Sequence, residues 1–231
     1  MDKGQTGVSM ERRFVLLGGL GVGLASLARP ALAKPILSGV PTEGRLAFQV
    51  WRKGAHIGQN VLHFDQTGDD LTVQIDVNIV VKIGPVPVMR YTHSCKEHWV
   101  GGLFQGLEST SHSNMDKQHV VARRGGEGIH IEPAAGDPYT APSDSLPISH
   151  WNRQMMTAPL FNPQDGKPLH ETNRVAKGEE TVKVANGSSV RASRYGLVGD
   201  ATLDDWYDAS GVWAALHSRV VDGSYIDYLR I

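Results

Sequence analysis

The chain has 231 residues, 23 basic and 24 acidic side chains, a formal net charge of −1 and one cysteine. That length suits one domain or two small ones, and the balanced charge, with no long basic run, argues against nucleic acid as a partner. Cys95 has no second cysteine to pair with, so the fold must be held by its core.

The N-terminal residues 10–33 do not read as part of a folded domain. Glu11-Arg12-Arg13-Phe14-Val15-Leu16 places two arginines ahead of an apolar stretch over 15–27, and Arg29-Pro30 then leads to the small-residue site Ala31-Leu32-Ala33. Basic, apolar, then A-x-A is the order of a secretory signal, and adjacent arginines point to the twin-arginine translocase as the partner during export. Arg12 and Arg13 are the expected recognition pair, Ala31 and Ala33 the expected cleavage site, and Met1 or Met10 the start. The apolar core is glycine-rich and too short to span a bilayer comfortably. The expected destination is the periplasm, reached by an already folded chain. Residues 34–44, rich in Pro and Gly, read as a linker to a single β-rich domain over 45–231.

Period-two patterning begins with Phe48 and Val50 on a first strand closed by Lys53-Gly54. A strand near 60–66 turns at Gly68-Asp69-Asp70 into the clearest one of all. From Leu71 through Val73, Ile75, Val77 and Ile79 to Val81 every odd position is apolar, and most even positions are polar. That alternation suits a strand with one buried face, whereas a helix would scatter it around its axis. After Ile83-Gly84-Pro85 the chain returns over 86–99, turns at Gly101-Gly102, and runs out over 103–113. A hairpin around Gly125-Gly126 joins 120–123 to 128–132. Pro and Gly break the pattern over 133–168, where 150–160 reads as a short helix with Ser149 as its N-cap. Strands resume over 169–176 and 181–185, turn at Asn186-Gly187 into 190–197, and continue over 202–207, 212–220 and 225–231. The fold expected is mainly β: an antiparallel, strongly curved sheet or half-open barrel with one short helix.

The segments Phe48-Gln49-Val50-Trp51-Arg52-Lys53-Gly54 with Ile57-Gly58, Tyr91-Thr92-His93, Ser149-His150-Trp151-Asn152, and Asp205-Trp206-Tyr207-Asp208 with Gly211 follow one another along the chain. In this succession the chain resembles an exported bacterial family, the domain of unknown function numbered six-one-three-four, over nearly all of its mature length. The Ser-His-Trp-Asn tetrad is the most specific piece. The resemblance implies no biochemical role, since the family has none established. A looser similarity, to periplasmic carriers of the lipoprotein-localisation type, implies a curved sheet half-closed around an apolar cavity.

The tetrad carries two readings. In the functional one, His150 is a general base or ligand-binding group, Asn152 orients it and Trp151 walls an apolar cavity. In the structural one, Ser149 caps a helix, Trp151 plugs the barrel end, and His150 and Asn152 satisfy loop backbone. Adjacency alone makes no Ser–His dyad, and no Gly-x-Ser-x-Gly elbow is present. Asp204, Asp205 and Asp208 gather around Trp206-Tyr207, with Asp204, Trp206 and Asp208 on one strand face and Asp205 and Tyr207 on the other. Asp208-Ala209-Ser210-Gly211 is a turn sequence. His93 and Cys95 share a face that His98 does not, and no metal site or cofactor is expected. The favoured function is a periplasmic binding protein for a lipid or other hydrophobic ligand, with Ser149, His150, Trp151, Asn152, Trp206 and Tyr207 at the site. The alternative is a hydrolase or isomerase using His150 with Asp204.

Overall fold

The computed structural model describes residues 37–220 and 222–231; the signal, with Arg12, Arg13, Ala31 and Ala33, lies outside them. An N-terminal meander comprises β1 (Arg45–Arg52), β2 (Ala55–Thr67), β3 (Asp70–Ile83), β4 (Val86–Val100), β5 (Leu103–Ser113), β6 (Asp116–Arg124), β7 (Ile129–Glu132) and β8 (Tyr139–Ala141). Three two-residue strands follow, β9 (Leu146–Pro147), β10 (Leu160–Phe161) and β11 (Pro168–Leu169), with a 3₁₀ turn over Arg153–Met156 between the first two. The C-terminal meander is β12 (Thr172–Lys183), β13 (Ser189–Gly199), β14 (Leu203–Asp208), β15 (Trp213–Arg219) and β16 (Tyr225–Arg230).

Each strand of a meander pairs antiparallel with its sequence neighbour, and β1 pairs antiparallel with β16 to join the two meanders. The product is one curved 13-stranded sheet, running from β12 through β16 and β1 to β8, that does not close into a barrel. Alternation decides its inner face. In β3, Leu71, Val73, Ile75, Val77 and Ile79 are buried, while Thr72, Gln74, Asp76 and Asn78 look the other way. Register carries the same parity across the sheet, setting Ile75 beside Leu62 and Cys95, and Val77 beside Asn60 and His93.

The irregular segment between the meanders covers this inner face. Trp151, Met155, Leu160 and Phe161 are buried in the same cluster as Phe48, Leu62, Val73 and Trp99. β9 and β10 pair in parallel and β10 and β11 antiparallel, which satisfies backbone that would otherwise be stranded over an apolar surface. Part of the expected linker also belongs to this packing, since Leu37 and Val40 pack against the core. Gly39, at φ +103, lies so close that a Cβ would come within 2.5 Å of the Trp151 carbonyl oxygen.

Two local expectations are corrected. The helix expected over 150–160 is only the four-residue 3₁₀ turn, and its N-cap is Asn152, whose Oδ1 accepts from the Gln154 amide at 3.0 Å, rather than Ser149. His150 sits at φ +65, a left-handed geometry that cannot begin a right-handed turn, so the turn starts after it. The two strands expected over 169–176 and 181–185 are largely one, β12. Lys177-Gly178 is a bulge with Gly178 at φ +85, not an interruption, and pairing with β13 resumes beyond it.

Candidate functional site

The tetrad crosses the inner face, and buried carboxylates from both meanders hold it. β4 turns His93, Cys95, Glu97 and Trp99 inward, all buried. Glu97 Oε2 accepts from the Trp99 indole at 3.0 Å and from the Trp151 indole at 2.9 Å, and the two rings meet edge to face, 5.4 Å apart. The Ser149 hydroxyl makes a further polar contact with this carboxyl, while Oε1 is buried without a hydrogen-bond partner among the described residues. Burial pushes Glu97 up to about 7, against the pull of Trp151, Trp99 and Ser149. Burial thus favours its neutral form in the middle of the core.

On the other side, β14 turns Asp205 inward. Its Oδ2 lies 3.0 Å from His150 Nδ1, and its Oδ1 accepts from the Trp213 indole at 2.9 Å. Burial raises the Asp205 carboxyl, opposed by His150 and Trp213. The His150 ring stacks on Trp213 at 5.3 Å, and the Tyr207 hydroxyl donates to the His150 carbonyl at 2.7 Å. These contacts hold a bulky residue in its unfavourable left-handed conformation, the kind of strain that persists only where the surroundings over-determine it. The His150 side chain remains one-fifth exposed, and Asp205 is fully enclosed. With Asp205 ionised, Nδ1–H donates to it and Nε2 of the neutral ring keeps its lone pair, the polarity a general base needs.

The structure thus brings Ser149, His150, Trp151, Asn152 and Tyr207 together and sets Trp206 and Asp204 apart. The carboxylate beside His150 is Asp205, not Asp204. Asp204 faces outward, 2.6 Å from both Lys177 and Arg194. Although burial opposes it, the hydrogen bonds of Arg194 and Lys177 hold its carboxyl below the usual range. Trp206 joins that outer face: its indole donates to Glu180 at 2.7 Å and Arg194 stacks over its ring. Trp151 and Trp206 therefore do not border a common cavity. Asp208 closes the turn, accepting from the Ser210 and Val212 amides, and pairs with Arg230. Among the described residues no cluster of His, Cys, Asp or Glu forms a metal site.

Sequence reasoning passed over Glu97. A signal was there: it occupies an inward position of β4, two residues after Cys95 and two before Trp99, where a strand with one buried face wants an apolar side chain.

Open space lies elsewhere. A groove of about 940 Å³ runs between the β1–β2 turn and the end of the β3–β4 hairpin. Ile57, Val80, Ile83 and Val88 give it apolar walls, with Lys53 and Lys82 flanking them. Arg52 also lines it, tied by Nε to Ser224 at 3.0 Å and by its guanidinium to Asp222. None of the tetrad lines this groove.

Residues 48–231 match the sequence profile described as Domain of unknown function (DUF6134), and the chain belongs to that family. No curated protein matches its sequence. Among solved structures it is similar to the beta-barrel-like protein of domain of unknown function DUF1849 from Brucella abortus. The two are 9% identical, the match covers 81% of this chain and 94% of that one, and the TM-score is 0.58. At that identity the likeness shows a shared barrel-like fold alone.

Proposed function

We propose that this DUF6134 member is exported through the twin-arginine route to the periplasm, where it binds a lipid or similar amphiphile in the groove beside the β3–β4 hairpin. The observation that carries the reading is the groove's chemistry: apolar walls from Ile57, Val80, Ile83 and Val88 with Lys53 and Lys82 flanking them. Its volume, about 940 Å³, is that of a small-molecule site. Apolar walls favour an acyl chain by roughly 25 cal/mol per Å² covered, and the lysines favour an anionic head. The chain's own side chains pack around Trp151 on the inner face, which supports a site at this open end rather than in the interior.

The Trp51 ring lies tilted beside His56, centroids 5.5 Å apart, and His56 lines the groove, so Trp51 fluorescence is a natural reporter. Titration with a long-chain fatty acid should change that fluorescence saturably, and Trp51→Phe should remove most of the change. Val80→Asp should weaken binding about tenfold by placing a charge in the wall. Fluorescence indifferent to fatty acids and lysophospholipids, or binding unaltered by Val80→Asp, would overturn the reading. Export has its own readout: Arg12→Lys with Arg13→Lys should leave the precursor in the cytoplasm, and the exported form should begin at Lys34.

A second reading, periplasmic hydrolase or isomerase, is favoured by one observation, the His150–Asp205 pair at 3.0 Å with the imidazole partly exposed. In that reading His150 takes a proton at Nε2 and Asp205 fixes the ring and balances its charge.

A further inference from the structure

Strand directions place several turns at one end of the sheet. Pairing of Arg52 with Ala55, of Ile83 with Val86 and of Ser113 with Asp116 puts the β1–β2, β3–β4 and β5–β6 turns at the groove's end. The β2–β3 and β4–β5 turns lie at the other. At the groove's end the chain leaves large apolar side chains in water: Ile83 is 72% exposed, Val86 58%, Val88 47% and Met115 98%. The two hairpins that carry them are fastened together. The Asn114 amide donates to the Arg90 carbonyl at 2.9 Å, and Asn114 Oδ1 accepts from the Arg90 amide at 2.9 Å. The backbone beside Met115 is thereby tied to β4, while its side chain stands in water.

The charges around these side chains are biased. Over 82–90 and 112–117 the exposed ionisable groups include Lys82, Arg90 and Lys117, against Asp116 as the lone carboxylate. Pro85 and Pro87 remove amide donors from the same tip, which blocks it from adding to another protein's sheet edge. Exposed apolar side chains on joined hairpins, with cations in excess and strand addition disfavoured, match the interface of an anionic bilayer, where apolar tips enter the acyl boundary and lysines meet phosphates.

We infer that the paired tips of the β3–β4 and β5–β6 hairpins are a membrane-docking surface, which inserts Ile83, Val86, Val88 and Met115 into an anionic phospholipid bilayer. Docking there sets the groove's mouth against the membrane, yet it does not depend on the groove being a binding site.

The test places an environment-sensitive fluorophore on Met115→Cys in the whole chain; the native Cys95 is buried and stays unlabelled in the folded protein. Vesicles of phosphatidylethanolamine and phosphatidylglycerol should shift the emission to the blue. The same label on Leu103→Cys, exposed on the β4–β5 turn at the opposite end, should report water throughout. Adding Ile83→Asp and Val86→Asp should weaken the Met115 response at least about tenfold, since each apolar side chain buried in the membrane is worth roughly that factor. Raising the salt should weaken it too. Val80→Asp, which disables the groove, should leave the response intact. No response at Met115, an equal response at Leu103, or indifference to Ile83→Asp with Val86→Asp would each overturn the docking surface, whatever the fatty-acid titration gives.

Discussion

Asp204 and Asp205 are adjacent in sequence and opposite in circumstance. Period two sends one to each face of β14. Asp204 meets Lys177 and Arg194, cations still about one-third exposed, whereas Asp205 meets His150 and Trp213 in full enclosure. Losing Asp204 lets its cations return to water. Losing Asp205 leaves His150 Nδ1 without its acceptor and frees a residue held at φ +65. Asp205→Ala should therefore cost about 2–3 kcal/mol and Asp204→Ala about 1 kcal/mol or less. Urea denaturation of the two variants decides it, and equal costs would count against the His150–Asp205 pair as a structural tie. Which aspartate faces inward was not legible in the sequence, because each parity carries large side chains: Leu203 and Tyr207 with Asp205, Trp206 with Asp204. The choice is made by tertiary contacts, from Trp213, Arg194 and Lys177 on neighbouring strands and from His150 on the distant covering segment.

At the scale of elements, alternation did most of the specification. β3 is legible because all its inward side chains are apolar and its outward ones nearly all polar; the inward row of β4 departs from that pattern at His93 and Glu97. β12 is less so, being a long hairpin arm exposed along most of its length, which gives its pattern no face to declare. The covering segment over 142–171 has no period at all. Its place is set by Trp151, Met155 and Phe161 finding the inner face, and such long-range packing leaves no local signature. The strand assignment is open to a direct test. Ile75→Asp puts a carboxylate against Leu62 and Cys95 and should cost about 3–5 kcal/mol, or unfold the protein. Asn78→Asp, on the exposed face three residues on, should cost less than about 1 kcal/mol. Similar midpoints in a thermal melt for the two variants would contradict the inward parity of β3.

On the scale of the whole molecule, two meanders share one inner surface, and the tetrad spans it, fixed to β4 through Glu97 and to β14 through Asp205. That arrangement buries titratable groups whose pH dependences oppose one another. Glu97 is raised from 4.5 to about 7, so the folded state favours its neutral form. Its contribution is fully present below about pH 4.5 and is lost as pH rises through 7. His93, buried four residues earlier on the same face with Nδ1 2.8 Å from the Ser111 hydroxyl, is lowered by burial from 6.5 to about 4, partly offset by Asp76. Its contribution is present above about pH 6.5 and is lost as pH falls towards 4. Between roughly pH 4.5 and 6.5 the two slopes cancel, and each shift corresponds to about 3 kcal/mol. Relative to the parent, Glu97→Gln should become progressively more stable as pH rises from 4.5 to 7. His93→Gln should gain relative stability as pH falls from 6.5 to 4. Exposed or outward-facing acids such as Asp200 and Asp204 titrate alike in all three proteins and drop out of the differences. Chemical denaturation at half-unit pH steps gives these difference curves, and curves that are flat, or that slope the same way for both variants, would mean that neither group is buried in the charge state the fold requires.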